Sequence, residues 1–225
     1  MRPLASLISL AVMIASPVSA EALRCENPLV TVKADDPAFA AQVCELVANA
    51  SRQLNACHLK RTYPLTIRVL RDASDMAEAC LGSYNCKISQ IDVLHPDTLP
   101  ETFVDESPYG EMDTMVYFNS LLMHELAHSA FEQLPCESEA CTAEQEYIAY
   151  AMQLASLPDA DRQIILDAKP VSFTVTLESL NSTIAMMAPT AFAARVWEHY
   201  SMPENGCDFI GKIIDGKVSL RNDRF

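Results

Sequence analysis

From Glu111 to Leu134 the chain runs for roughly six to seven helical turns with few polar interruptions, and Pro135 ends the run. Met115, Val116, Phe118, Leu121, Leu122, Leu126, Ala127, Ala130, Phe131 and Leu134 cover most of the circumference of such a helix. A helix apolar all round has no face to offer to water, so it must lie at the centre of the molecule with the other elements packed about it. Every polar side chain on it then needs a partner, because an unpaired buried imidazole or carboxylate is costly.

The flanking segments supply elements to do the packing. Small and apolar residues recur at helical spacing from Pro37 to Cys57 behind a capping Asp35-Asp36. Leu65 to Leu70 alternates apolar with polar as a half-buried strand does, and Lys87 to Leu94 alternates again through Ile88, Ile91 and Val93. Between them Asp72 to Cys80 reads as a helix with Met76 and Ala79 facing inward, which predicts a small sheet with a helical crossover. His95 to Gly110 holds three prolines and the acids Asp97, Glu101, Asp105 and Glu106, so it reads as an irregular, solvated loop in which His95 is an exposed turn residue. After the central helix, Thr142 and Gln145 form a capping box for a helix running to Leu157. Asp159 to Ala168 and Pro189 to Tyr200, with Trp197 inward, continue at helical spacing. Val171 to Leu177 reads as a strand or as the lead into a helix ending at Met187, and Gly206 to Leu220 has no clear period. The expectation is an α+β domain, mostly helical with a small sheet.

The first residues are read separately. Met1-Arg2, the apolar run Leu4 to Ala15 and the small residues Ser16 to Ala20 have the pattern of a signal peptide cut after Ala20, leaving residues 21–225 as one domain. A run of twelve residues rises only about 18 Å, too short for a hydrocarbon core of roughly 30 Å, so no membrane anchor is expected after cleavage. All eight cysteines follow that cut. An even count in an exported chain reads as a disulfide framework, with Cys80–Cys86 and Cys136–Cys141 favoured because each pair closes a small loop. No C-x-x-C motif occurs, which argues against a cysteine zinc site. The formal net charge of −14 leaves no excess of Lys or Arg to displace counterions, and this excludes nucleic acid as a partner.

The chemistry is concentrated at His124-Glu125-Leu126-Ala127-His128, within the central helix. Residues four apart lie about 40° apart around a helix and about 6 Å apart along it, so two imidazoles can approach one metal ion from one face. Glu125 is turned by about 100°, where it can take a proton from a water on the metal's open side. With 5 His and 16 Glu in the chain, chance would produce the pattern about 0.8% of the time. The bland alternative is a pair of core histidines bonded to each other or to the backbone.

With this motif on a buried helix, the chain resembles the zincin metallopeptidases over about 35 residues, Phe118 to Leu154. Phe131 and Leu134 stand where the metzincin pattern needs glycine and histidine, so the resemblance is to the gluzincin branch, whose third ligand is a glutamate on a following helix. It implies zinc held by His124 and His128, with Glu125 as general base. Among the candidates for the third ligand, Glu132 lies a turn further along the same helix, and Glu137 and Glu139 sit between two cysteines. Glu146 is preferred because Glu146-Tyr-Ile-Ala-Tyr-Ala151 is similar to gluzincin third-ligand helices; Glu144 remains the alternative. The aspartate that some gluzincins carry four residues after the glutamate is absent, since Tyr150 follows Glu146 and Ile148 follows Glu144, so the residue that orients a histidine ligand is unidentified. Tyr147, Tyr150 and His199 can donate to a developing oxyanion but read first as packing residues. With the leader pattern pointing to export, periplasmic or secreted, the resemblance implies a zinc metallopeptidase acting on a peptide or protein substrate. The rivals are a secreted zinc-binding or interaction protein without turnover and a purely structural helical domain.

Overall fold

The computed structural model describes residues 22–76, 81–103, 107–131 and 143–220. Its sheet has five strands: β1 (Ala22–Arg24), β2 (Val30–Lys33), β3 (Leu65–Leu70), β4 (Gly82–Asn85) and β5 (Gln90–Leu94), in the order β1-β2-β3-β5-β4. The three inner strands are parallel and the two outer ones antiparallel to their neighbours. Period-two alternation builds its two faces. Val30, Val32, Leu65, Ile67, Val69, Ile91 and Val93 are buried, and in register Val32 lies beside Ile67 and Ile67 beside Ile91. The opposite face is half-exposed and polar, and there Arg68 grips Asp92 on the neighbouring strand through Nε and Nη2, at 2.7 and 2.5 Å.

Two helices cover the apolar face. Helix α1 (Pro37–Ala56) starts where Asp36 accepts from the Ala38 N–H at 2.9 Å and Pro37 occupies the first turn. Its buried residues Ala40, Val43, Val47, Ala50 and Leu54 recur at intervals of three and four, a single stripe laid on β2 and on the central helix. That central helix is α3 (Thr114–Phe131), where every residue but one from Tyr117 to Ala130 is buried. Helix α4 (Ala143–Ser156) lies against α3, followed by α5 (Asp159–Ala168), α6 (Ser182–Met187), α7 (Pro189–Tyr200) and α8 (Gly206–Ile214). A short helix, α2 (Leu99–Thr102), follows β5. The α+β class, the long helices and the β3 strand agree with the sequence reading. Val171 to Leu177 contains no strand, and Trp197 is half-buried beneath the Arg162 guanidinium, 4.3 Å from its ring centroid.

Several local expectations are corrected. Asp72 to Cys80 is not a helix over its described residues. The Asp72 side chain accepts from the Ser74 N–H at 2.8 Å, an Asx turn that closes a single 3-10 turn at Ala73–Asp75, although Met76 is buried as expected. Among its described residues the β3-to-β5 crossover carries that single turn and a strand, β4, instead of a helix. Ile88 does not belong to β5: Asn85 accepts from the Lys87 N–H at 3.1 Å and Ser89 adopts φ 49°, so residues 86–89 turn and Ile88 stands 62% exposed. His95 is buried, not an exposed turn residue. Its ring lies 4.4 Å from that of Phe39 and 3.3 Å from an Arg71 nitrogen, and burial, with the Arg71 cation beside it, lowers its pKa.

Two disulfides are described. Cys25–Cys44 joins the segment after β1 to α1, and Cys57–Cys207 joins the end of α1 to α8. Cys86 is also disulfide-bonded, while Cys80, Cys136 and Cys141 of the two favoured local pairs lie outside the described residues. The chain-entropy treatment assigns about 3 kcal/mol to a bridge spanning 19 residues and about 5 kcal/mol to one spanning 150. Thermal denaturation of the oxidised protein should accordingly show a larger fall in Tm for the Cys57→Ala/Cys207→Ala pair than for Cys25→Ala/Cys44→Ala; the reverse order would contradict this ranking.

Candidate metal centre

The site is built on the contact between α3 and α4. Small buried residues, Ala127 and Ala130 on α3 and Ala143 and Ala151 on α4, allow helix backbones to approach closely. His128, near the end of α3, faces Glu146, near the start of α4, whereas Ser120, early in α3, faces Gln153, late in α4. The two helices are thus antiparallel, and the α4 carboxylate meets the imidazoles of α3.

His124 Nε2 and His128 Nε2 are 3.1 Å apart, and the Glu146 carboxylate oxygens lie 3.7 Å from the first and 3.5 Å from the second. Donors arranged tetrahedrally at about 2.0 to 2.1 Å from one ion are separated by about 3.3 Å, so this triangle has the size a small divalent ion requires. Burial lowers the pKa of both imidazoles, that of His124 to about 4 with help from the neighbouring His128, while Glu146 opposes the shift. Both rings are therefore neutral at pH 7, the state in which imidazole nitrogen binds a metal. His124, His128 and Glu146 form a group that can hold a metal ion, and no other such group of three occurs among the described residues.

Glu144 is placed elsewhere. Its Oε1 accepts from Ser219 Oγ at 2.9 Å and from the Leu220 N–H at 2.7 Å, which anchors the C-terminal segment on the first turn of α4. Two residues make a turn of about 200° on a helix, so the two carboxylates of this turn cannot serve the same centre.

Glu125 is buried beside the edge strand. A Cβ added at Gly82, the first residue of β4, would stand 2.9 Å from Glu125 Oε1 and 3.1 Å from Leu121 Cδ1, so only glycine lets this backbone lie against the carboxylate. Glu125, His124, Gly82 and Tyr150 share the lining of a cleft of 180 Å³. The Tyr150 ring meets His124 edge-on at 4.6 Å, and burial raises its hydroxyl well above the ordinary tyrosine pKa. Tyr147 and His199 do not line this cleft; they bond each other at 2.9 Å and pack on Phe209. Two residues that sequence reasoning missed are Gly82 and Gln153. Gln153, whose Oε1 lies 2.9 Å from His124 Nδ1, is seven residues after Glu146, and that two-turn spacing on one helical face was the available signal.

A family match covers residues 30–223, and its description is a family of unknown function (DUF6639). The chain belongs to this family. Comparison with curated proteins and with solved structures returned no match. The family's description assigns no chemistry, so the functional reading rests on the side chains themselves.

Titration of the oxidised, metal-free protein with a divalent ion should give one site per chain. His124→Ala, His128→Ala and Glu146→Gln should each weaken binding by more than about a hundredfold. Glu144→Gln should leave affinity within a few-fold of wild type. Loss of binding in Glu144→Gln with retention in Glu146→Gln would reverse the ligand assignment.

Proposed function

We propose that the protein is an exported, zinc-dependent metallohydrolase that cleaves peptide bonds, with His124, His128 and Glu146 as ligands and Glu125 as general base. The observation that carries this reading is that the ligand His124 and the carboxylate of Glu125 line one cleft. Three protein ligands leave a tetrahedral ion one open position, the arrangement of catalytic rather than structural zinc. Two neutral nitrogens and one carboxylate also suit zinc better than calcium or magnesium, which favour oxygen donors.

Bound there, zinc supplies a Lewis acid that polarises a carbonyl and acidifies water. Glu125 accepts a proton from the attacking water at a carboxylate oxygen and delivers it to the amide nitrogen as the carbon–nitrogen bond breaks, leaving an acid and an amine. Tyr150, held protonated by burial, donates its hydroxyl hydrogen toward the oxygen of the reacting carbonyl. β4 ends the sheet next to Glu125 and offers backbone groups to an extended peptide. Gly82 at its start keeps that approach open.

Export is supported by the leader-like residues 1–20 together with the Cys25–Cys44 and Cys57–Cys207 bridges, since such bonds persist in oxidising compartments such as the periplasm. No described helix is long and apolar enough to cross a membrane. The acidic net charge disfavours nucleic acid as a partner.

The test is zinc content and peptide cleavage on the same oxidised sample. Glu125→Gln should keep one zinc per chain and lower kcat/KM by at least about a hundredfold. Gly82→Ala, whose methyl group displaces the Glu125 carboxylate, should lower kcat about tenfold or more with unchanged zinc affinity. Full turnover in Glu125→Gln would remove the assigned base. Stoichiometric zinc with no cleavage of a diverse peptide library by wild type would leave a zinc-binding protein without turnover.

A further inference from the structure

The partners of His124 on its side away from the ligand triangle form a chain of hydrogen bonds whose polarity can be read link by link. Ser120 Oγ donates to the Tyr117 carbonyl at 2.8 Å, so its only hydrogen is committed. Towards Gln153 the hydroxyl can then act only as an acceptor, and Gln153 Nε2 stands 3.4 Å from it. With the amide nitrogen on that side, Gln153 Oε1 faces His124 Nδ1 at 2.9 Å. An amide oxygen cannot donate, so the hydrogen of this bond is carried by His124 Nδ1. A neutral imidazole with its hydrogen on Nδ1 has its lone pair on Nε2. Nε2 is the atom that points at His128 and Glu146.

We infer that Gln153 is the positioning residue of the metal centre: through the relay Tyr117 carbonyl, Ser120, Gln153, it selects the tautomer in which His124 offers Nε2 to the ion. The inference rests on the metal-centre reading but adds a role that neither the ligand set nor the family supplies. The opposite tautomer would aim an N–H into the triangle and could not ligate. Gln153 and Ser120 are 3% and 1% exposed, so water does not compete for these bonds, and the edge-on Tyr150 ring holds the imidazole from another side. A carboxylate in this place would add a negative charge behind the ligand; the amide orients the ring while leaving Glu146 as the anion of the ligand set.

Two readouts test the relay independently of catalysis. In the first, the metal-free oxidised protein is labelled with nitrogen-15 in its histidines, and imidazole NMR at neutral pH should show His124 as the Nδ1–H tautomer in wild type. A dominant Nε2–H form there would overturn the relay whether or not the chain binds metal. In the second, cobalt(II) serves as the probe, followed by its visible absorption. Gln153→Met, similar in length but unable to accept from Nδ1–H, should weaken cobalt binding 10- to 100-fold, the usual cost of losing a ligand's outer partner. Gln153→Glu, which restores an acceptor, should return affinity to within a few-fold of wild type or better. Equal affinity in wild type and Gln153→Met would sink the inference while leaving the ligand set standing. Absence of cobalt binding in wild type would instead remove the metal centre, and with it the positioning role, whatever tautomer the NMR shows.

Discussion

Close packing of α3 against α4 is the contact on which the rest of the molecule depends. Two imidazoles and two carboxylates in a helical interior are expensive to desolvate, and the cost is offset only if they converge on each other, on hydrogen-bond partners or on an ion. Alanines on both helices let the backbones approach until the Glu146 carboxylate stands within 4 Å of both imidazole nitrogens. Everything else about α3, buried between α4 and the sheet, follows from its having no solvent-facing side.

The sheet contributes by its edge. β4 is short and follows an Asx-closed 3-10 turn, yet it delivers Gly82 to the flank of α3 at the level of Glu125. A glycine in a strand is usually a weakness. Here the missing side chain sets how near the Glu125 carboxylate can lie to the outermost strand of the described sheet, and so joins the sheet topology to the cleft. On the opposite side, Glu144 ties the C-terminal segment to the first turn of α4, the turn that also carries Glu146.

Much of the architecture was legible locally. The stripe on α1, the alternation of β3 and the all-round apolarity of α3 are each set by burial with a single period, and these survive in the structure. Reading failed where short-range polar bonds overrode apolar pattern. Ile88 looked like a strand residue until the Asn85 side chain and the left-handed Ser89 turned the chain. His95 looked like a turn residue because proline follows it, but Leu94 before it is fully buried and the ring continues into the gap beside Phe39. β1 and β4 show no period, and β2 alternates over only four residues, so their pairing comes from the strands beside them.

Within the site, the division is similar. That His124 and His128 share a face, with Glu125 turned aside, is determined by sequence alone, because helical geometry relates residues one turn apart with no reference to the rest of the chain. Which carboxylate joins them was decided only in three dimensions: Glu144 and Glu146 differ by two positions, and only the docking of α4 and the C-terminal segment tells them apart. The same holds for Gln153 behind His124, Gly82 against Glu125 and Cys57 bonded to Cys207 across 150 residues. These contacts join residues far apart along the chain. Local spacing constrains direction on one element, whereas proximity between elements depends on how all of their apolar faces are buried together.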